Sequence, residues 1–238
     1  TKNIKGAVLH NQIEGINIIK EDNQKVTIKV GAGVIWNDFV NWSIKNNLWG
    51  IENLILIPGT VGAAPIQNIG AYGSELKDVI KNVTGFNIKT GEKIKLNKSQ
   101  CEFEYRNSIF KKKLKNDFFI TEIQINLKKK GKANLNYEIL RKELEGEKKP
   151  ISLKKIGLTV SKIRNSKLPN PSEIGNAGSF FKNPIISLEK LNEIKREFPE
   201  IKYYNLNDKV KISAGWLIEK SGWKEKKLQN CSVYNKQA

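Results

Sequence analysis

The stretch that bears most directly on chemistry is IPGTVGAAPIQNIGAYG, Ile57 to Gly73, which packs four glycines (Gly59, Gly62, Gly70, Gly73) and three alanines into 17 residues. Minimal side chains let a ligand reach the main chain, where N–H groups can cradle a phosphate or a flat ring system. Gln67 and Asn68 add amide donors and acceptors for a heterocycle edge. The stretch is neither a Walker loop, lacking Gly-Lys-Ser/Thr, nor a Rossmann Gly-x-Gly-x-x-Gly turn. The competing reading is a tight, buried crossover loop that needs positive φ. Arg106, in EYRNSIF, stands among Phe103, Tyr105 and Phe110. A partly desolvated guanidinium there suits a carboxylate clamp, the alternative being a structural pair with Glu102 or Glu104. In GNAGSFFKNP, Gly175 to Pro184, Ser179 lies beside Phe180 and Phe181. The chain has one histidine, His10, which gets no role, so a histidine-activated serine nucleophile and multi-histidine metal sites are poor fits. Ser179 can instead donate a proton to something far more basic, such as a carbanion; otherwise its segment is a strand-entry turn. Tyr137, in NLNYEIL, is expected on an exposed loop, where it stacks on a nucleobase or packs generically.

These residues need elements to position them. Ile16 to Lys20 and Lys25 to Val30 read as a hairpin across a polar turn, Glu21 to Gln24. Trp36, Phe39, Val40 and Ile44 recur at helical spacing, and that helix ends near Asn46-Asn47. Leu54 to Ile57 reads as a short apolar strand leading into the glycine-rich stretch, with a helical turn starting at Ser74-Glu75. A second hairpin is expected from Val83–Ile88 and Lys93–Leu96 around Thr90-Gly91. Phe118 to Leu127 reads as a strand with Phe119, Thr121, Ile123, Ile125 and Leu127 on one face. Leu153, Ile156, Val160 and Ile163 mark a helix that ends before Leu168-Pro169-Asn170-Pro171, and the prolines suggest a domain boundary. Amphipathic segments follow at Leu188–Phe198 and Ile212–Lys220. The class is α+β with two domains, 1–165 and 166–238.

Composition excludes several alternatives. No window holds the ~18 consecutive apolar residues of a membrane span. Lys2 and Lys5 precede no apolar run of the kind a secretory signal needs. Cys101 and Cys231 are too far apart for a metal-ligand motif and read as free thiols. The net charge of +18 invites a nucleic-acid partner, but only 4 of the 42 basic residues are arginine, the type favoured for base and phosphate recognition. Lys, Ile and Asn, all with A/T-rich codons, make up about two fifths of the chain, so drift in base composition can account for the charge. There is no methionine, which predicts a processed or trimmed sequence.

Five segments together resemble the MurB-type UDP-N-acetylenolpyruvoylglucosamine reductases, flavoenzymes of bacterial peptidoglycan synthesis. They are VGAGVIWNDFV (Val30 to Val40), IENLILIPGTVGAAPIQNIGAYGSEL (Ile51 to Leu76), CEFEYRNSIFK (Cys101 to Lys111), SKLPNPSEIGNAGSFFKNP (Ser166 to Pro184) and SAGWLIE (Ser213 to Glu219). The resemblance implies an FAD-binding domain of the vanillyl-alcohol-oxidase/PCMH type, followed by a smaller α+β substrate-binding domain. It implies FAD held by Ile57, Pro58, Gly59, Gly62, Ala63, Ala64, Gln67, Asn68, Ile69, Gly70 and Gly73. NADPH would reduce the flavin, and a hydride would then pass to the enolpyruvyl group of the UDP-sugar, giving UDP-N-acetylmuramate. Arg106 would polarise the enolpyruvyl carboxylate, and Ser179 would protonate the resulting carbanion or enol. Tyr137, Lys167 and Asn183 would hold the uridine and diphosphate, with Tyr105, Tyr204 and Gln237 as further substrate contacts. A monomeric cytoplasmic enzyme with no nucleic-acid or membrane partner is implied. The family's pyrophosphate loop is expected upstream of Thr1 and its catalytic glutamate beyond Ala238. A degenerate flavin- or nucleotide-binding protein without catalysis, and a basic nucleic-acid-binding protein, are the alternatives.

Overall fold

Strand β1 (Ile16–Glu21) turns through Asp22, whose carboxylate accepts from the main-chain N–H groups of Gln24 and Lys25, into β2 (Lys25–Gly31). Val26, Ile28 and Val30 of β2 alternate inward and are buried. The polypeptide is described by a computed structural model over residues 6–170, 173–176 and 178–237. Lys2, Lys5, the boundary proline Pro171, and Ala177 of the serine-bearing segment lie outside the described residues. By internal packing the chain divides into two units, Thr1–Ile163 and Arg164–Ala238.

In the first unit, helix α1 (Trp36–Lys45) has no side-chain N-cap. Its first N–H, on Trp36, donates instead to the Gly59 carbonyl at 3.0 Å, and the Trp36 indole donates to the Leu54 carbonyl at 2.9 Å. Two-residue strands β3 (Gly70–Ala71) and β4 (Ser74–Glu75) pair across Tyr72-Gly73. β5 (Ile80–Asn87), β6 (Lys93–Asn97) and β7 (Phe118–Lys128) complete a five-stranded antiparallel sheet in the order β1-β2-β7-β5-β6. Short helix α2 (Glu138–Glu143) and the longer α3 (Leu153–Lys167) follow. Ile156, Val160 and Ile163 of α3 join the core formed by the sheet and the buried Trp36, Phe39 and Val40 of α1.

Three elements differ from the sequence reading. Leu54–Ile57 is not a strand: Glu52–Leu54 forms a 3-10 turn, and Leu56 takes a left-handed φ of 59°, which ends any extended run. Ser74-Glu75 is β4, and the helical turn begins one residue later, at Leu76–Asp78, with Glu75 and Asp78 forming a reciprocal capping box. Strand β7 does not keep one face throughout. Phe118 and Ile120 are buried at one end and Ile123, Ile125 and Leu127 at the other, while Phe119 and Thr121 are only half-buried. The pairing with β5 skips Thr121, so a bulge inverts the alternation there.

Glu52 is a second departure from simple patterning, a carboxylate with 4% exposure in the core whose Oε2 accepts from the Gly50 N–H at 2.6 Å. Burial pushes its pKa up, against the pull of backbone hydrogen bonds. A carboxyl whose folded pKa is raised costs stability as pH climbs from the ordinary carboxylate value through the raised one. Glu52→Gln keeps the acceptor and removes the charge. Chemical denaturation across pH 4 to 8 is therefore expected to show the variant losing less stability with rising pH than the parent; parallel curves would contradict this.

The second unit holds β8 (Ile185–Ser187), α4 (Leu188–Glu197), β9 (Tyr203–Leu206), β10 (Lys209–Ile212) and α5 (Ala214–Lys220). Its sheet runs β8-β10-β9, with Leu191, Ile201, Val210, Ile212 and Trp216 as its core. Both cysteines are free thiols; burial pushes that of Cys101 up to about 12. No helix among the described residues is long and apolar enough to cross a membrane.

Candidate functional site

The glycine-rich stretch is strapped to the start of α1. Val61 N–H donates to Val34 O at 2.8 Å, and Gly62 N–H to Ala32 O at 2.9 Å. A Cβ on Gly62 would stand 2.7 Å from the Ala32 Cβ, so this glycine is required by packing. Gly62→Ala is expected to lower stability by about 1–3 kcal/mol, the usual range for overpacking, read as a shift in denaturant midpoint; an unchanged midpoint would mean the strap yields freely.

Between Val61 and Ile69 the main chain winds in successive turns. The N–H groups of Ala63, Ala64, Ile66, Asn68 and Ile69 donate to the carbonyls of Thr60, Val61, Ala63, Pro65 and Ala64. The expected cradle of main-chain donors is thus a self-bonded coil. What it offers outward is side-chain surface. Pro58, Gly59, Ala63, Gln67 and Gly73 are exposed, Ile57, Gly62 and Gly70 half-buried, and Ala64, Asn68 and Ile69 buried. Ala63, Ile66 and Gln67 line a cavity of about 290 Å³ together with Lys111. Gly59 has φ of 103° and only the Ala63 Cβ within 4 Å of where its own Cβ would be, so something can approach its backbone closely.

Asn68, expected to face a ring edge, faces the protein instead. It is fully buried with φ of 46°, a conformation asparagine tolerates. Its Nδ2 donates to Glu75 Oε2 at 2.9 Å and to the Glu104 carbonyl at 3.0 Å, and its Oδ1 accepts from Lys77 N–H at 2.9 Å. Both its N–H donors and its carbonyl oxygen are engaged by the protein.

Arg106 sits at a two-residue turn closed by reciprocal hydrogen bonds between Glu104 and Asn107, and has φ of 54°. Its Nη2 donates to the Gly70 carbonyl, and its Cζ lies 5.5 Å from the centre of the Tyr105 ring. Glu102 and Glu104, the alternative partners, pair with Lys113 and Lys112. No ion pair among the described residues involves Arg106. Ser108, which the sequence reading passed over, is fully buried and donates to the Ile66 carbonyl at 2.7 Å.

Tyr137 is not on an exposed loop. It is half-buried at the N-cap of α2, edge-on to Tyr72 with ring centres 5.1 Å apart. Asn134 explains the docking: its Nδ2 donates to Gly73 O at 2.9 Å and to Ser74 Oγ at 3.1 Å, fixing the segment before Tyr137 on the β3–β4 turn. Asn53 adds bonds to Tyr72 O and Asn134 O.

Within the second unit, Ser179 is exposed, as are Phe180 and Phe181, whose rings meet edge-on at 5.1 Å. Asn183 Oδ1 accepts from Ala214 N–H at 2.9 Å at the start of α5. Lys167 ends α3, and burial together with the neighbouring charge of Lys202 pushes its pKa down. Tyr204 lies on β9 with the Lys211 ammonium 5.5 Å from its ring centre. Gln237 is half-buried.

Residues 2–97 match the family model of an FAD-binding domain, and residues 170–238 match that of the UDP-N-acetylenolpyruvoylglucosamine reductase C-terminal domain. The chain is similar to the UDP-N-acetylenolpyruvoylglucosamine reductase of Flavobacterium johnsoniae, 44% identical over all of this chain and 72% of the relative. It is also 42% identical to that of Bacteroides fragilis, over all of this chain and 71% of the relative. The chain belongs to the UDP-N-acetylenolpyruvoylglucosamine reductase family. Among solved structures, the reductase of Thermus caldophilus is similar in fold, with a TM-score of 0.58 at 22% identity over 88% of this chain and 59% of that one.

The α+β architecture is thus that of the family, and the self-bonded coil of residues 61–69 lies in the FAD-binding domain. FAD is a fit for the outward face of that coil: small Gly59 and Ala63, the amide of Gln67 and the cation of Lys111 are the chemistry that a flat ring or a phosphate would meet. In this family setting Lys111 is a candidate that the sequence reading missed. It was masked by its place in a run of three lysines, 111–113.

Proposed function

We propose that the protein reduces the enolpyruvyl ether of UDP-N-acetylglucosamine to the lactyl ether, UDP-N-acetylmuramate, using NADPH, as a monomer in the cytoplasm. The observation that carries this reading is Arg106. A guanidinium anchored to the Gly70 carbonyl of the FAD-binding domain, with no carboxylate partner among the described residues, is a site for an incoming carboxylate.

Pro58, Gly59, Ala63 and Gln67 hold FAD along the outward face of the coil, with Ile57, Gly62, Gly70 and Gly73 flanking it. The buried Ala64, Asn68 and Ile69 support that face from behind. When bound, FAD supplies hydride drawn from NADPH. Arg106 binds the enolpyruvyl carboxylate. As a hydride adds to the terminal carbon of the double bond, negative charge grows on the carbon bearing that carboxylate, and the guanidinium stabilises it. Ser179 Oγ gives its proton to the same carbon, completing the saturated ether, and is reprotonated from solvent. Tyr105, beside Arg106, contacts the same end of the substrate.

Burial and then the neighbouring charge of Lys202 lower the preference of Lys167 for its charged form, so a diphosphate at Lys167 relieves a like-charge repulsion. Tyr137 presents an aromatic face for the uracil; Asn183 retains its Nδ2 for a phosphate or ribose oxygen, and Tyr204 and Gln237 extend the contact surface. The test is NADPH oxidation by the flavin-loaded full-length protein. Oxidation should depend on the enolpyruvyl UDP-sugar and yield UDP-N-acetylmuramate. Oxidation at the same rate with UDP-N-acetylglucosamine, which lacks the enolpyruvyl double bond, would overturn the reading.

A further inference from the structure

Three side-chain hydrogen bonds join the Arg106 turn to the coil of the FAD-binding domain. Arg106 itself reaches the Gly70 carbonyl. Asn68 Nδ2 holds the carbonyl of Glu104, the residue that opens the turn. Ser108 Oγ holds Ile66 O at 2.7 Å just after the turn closes. Asn68 and Ser108 are both fully buried, so the donor end of each bond is shielded from solvent, while the bonds as a whole are part-buried. Asn68 also binds Glu75 Oε2, and Glu75 Cγ and an Arg106 guanidinium nitrogen each lie 2.9 Å from where a Gly70 Cβ would stand. One buried amide therefore fixes the turn carrying the guanidinium and a carboxylate side chain packed on the same glycine.

Arg106 has a left-handed φ, which a long side chain does not adopt without support from its surroundings. The two flanking bonds supply that support. They are placed on either side of the strained residue and both end on one short coil segment, 66–68.

We infer that Asn68 and Ser108 are positioning residues, which hold Arg106 in the conformation that receives the substrate carboxylate. Neither contacts the ligand. The inference rests on the carboxylate role proposed for Arg106 and gives Asn68 a different task from a contact with the flavin edge.

Asn68→Asp is nearly isosteric and keeps the Oδ1 acceptor for Lys77. It replaces two donated hydrogen bonds by a carboxylate facing Glu75 and the Glu104 carbonyl. Ser108→Ala is the milder change, removing the single bond to Ile66. The readout is equilibrium binding to the flavin-loaded full-length protein, measured by calorimetry. One ligand is UDP-N-acetylmuramate, which has the lactyl carboxylate; the other is UDP-N-acetylglucosamine, which lacks it.

Each variant is expected to bind the carboxylate ligand roughly 10-fold more weakly, as loss of an aligned charge-assisted contact predicts. The ligand without the carboxylate should bind within about twofold of the parent, because nothing else at the site has moved. In an Arg106→Ala background, Asn68→Asp should cost nothing further in either affinity. Equal weakening of both ligands, or losses that add in the double variant, would make the two residues merely structural and overturn the inference. So would weaker FAD retention with ligand discrimination intact, which would return Asn68 to the cofactor. If Asn68→Asp fails to fold, Ser108→Ala decides by the same criteria. A parental protein that does not favour the carboxylate ligand would refute the role of Arg106 itself, and the positioning role with it.

Discussion

The flavin of the Ser179→Ala protein is expected to be reduced by NADPH at nearly the parental rate, while its reoxidation by the enolpyruvyl UDP-sugar falls by about 10²- to 10⁴-fold, the range a positioned acid contributes. The separation follows from chemistry. Transfer of a hydride from NADPH needs no proton from the protein at the substrate carbon, whereas saturating the double bond needs one. Ser179 is exposed and the sequence holds a single histidine, a poor setting for a histidine-activated nucleophile. Its hydroxyl can still protonate a carbon centre more basic than an alkoxide. Ser179→Cys retains a donor, a more acidic one, and should recover part of the lost rate. Rapid-mixing absorbance of the flavin in each half-reaction separates the steps. Equal losses in both would remove the proton-donor role.

Arg106→Ala should be the next most damaging change, lowering the rate of reoxidation by about 10²- to 10³-fold, as loss of a donor aimed at developing charge does. Affinity for the carboxylate-bearing substrate should fall with it. Arg106→Lys keeps the charge but loses the planar fork that both reaches Gly70 O and grips a carboxylate, so it should rescue only a small part. Because the Gly70 bond also ties the turn to the FAD-binding domain, FAD retention must be checked beside the rate. Normal turnover by a well-folded Arg106→Ala protein would assign the residue to structure alone.

Much of the frame could be read from residue order. The β1–β2 and β5–β6 hairpins follow from alternation around polar or glycine turns, and α1 and α3 from apolar residues at helical spacing. Two of the misreadings share a cause, in that each depended on a contact distant in sequence. The bulge at Thr121 arises from pairing with Thr84 and Gly85 on another strand, and no feature of Phe118 to Leu127 announces it. Leu54 and Ile55 are apolar because they are buried in the core, where the Leu54 carbonyl accepts from Trp36 of α1, and not because the run is extended.

At the site, residue type was legible and direction was not. A scarce arginine among aromatic residues and a glycine-rich run both stood out, yet the run folds on itself so that Asn68 points inward and Gln67 outward. Neighbours on a coil of successive turns face opposite ways, and only the set of hydrogen bonds says which. Tyr137 likewise has the composition of a loop around it, but Asn134 docks that loop on the β3–β4 turn. Ser108 was legible only as a serine two residues after Arg106; its importance lies in a carbonyl 42 positions away.

The most direct test is a single anaerobic mixing experiment on the full-length, FAD-loaded protein. After reduction with one equivalent of NADPH, the enolpyruvyl UDP-sugar is added while flavin absorbance is followed and the product is weighed by mass spectrometry. The oxidised flavin spectrum is expected to return as the UDP-sugar gains two hydrogens and acquires the mass of UDP-N-acetylmuramate. A flavin that stays reduced, with the UDP-sugar recovered unchanged, would contradict the central claim.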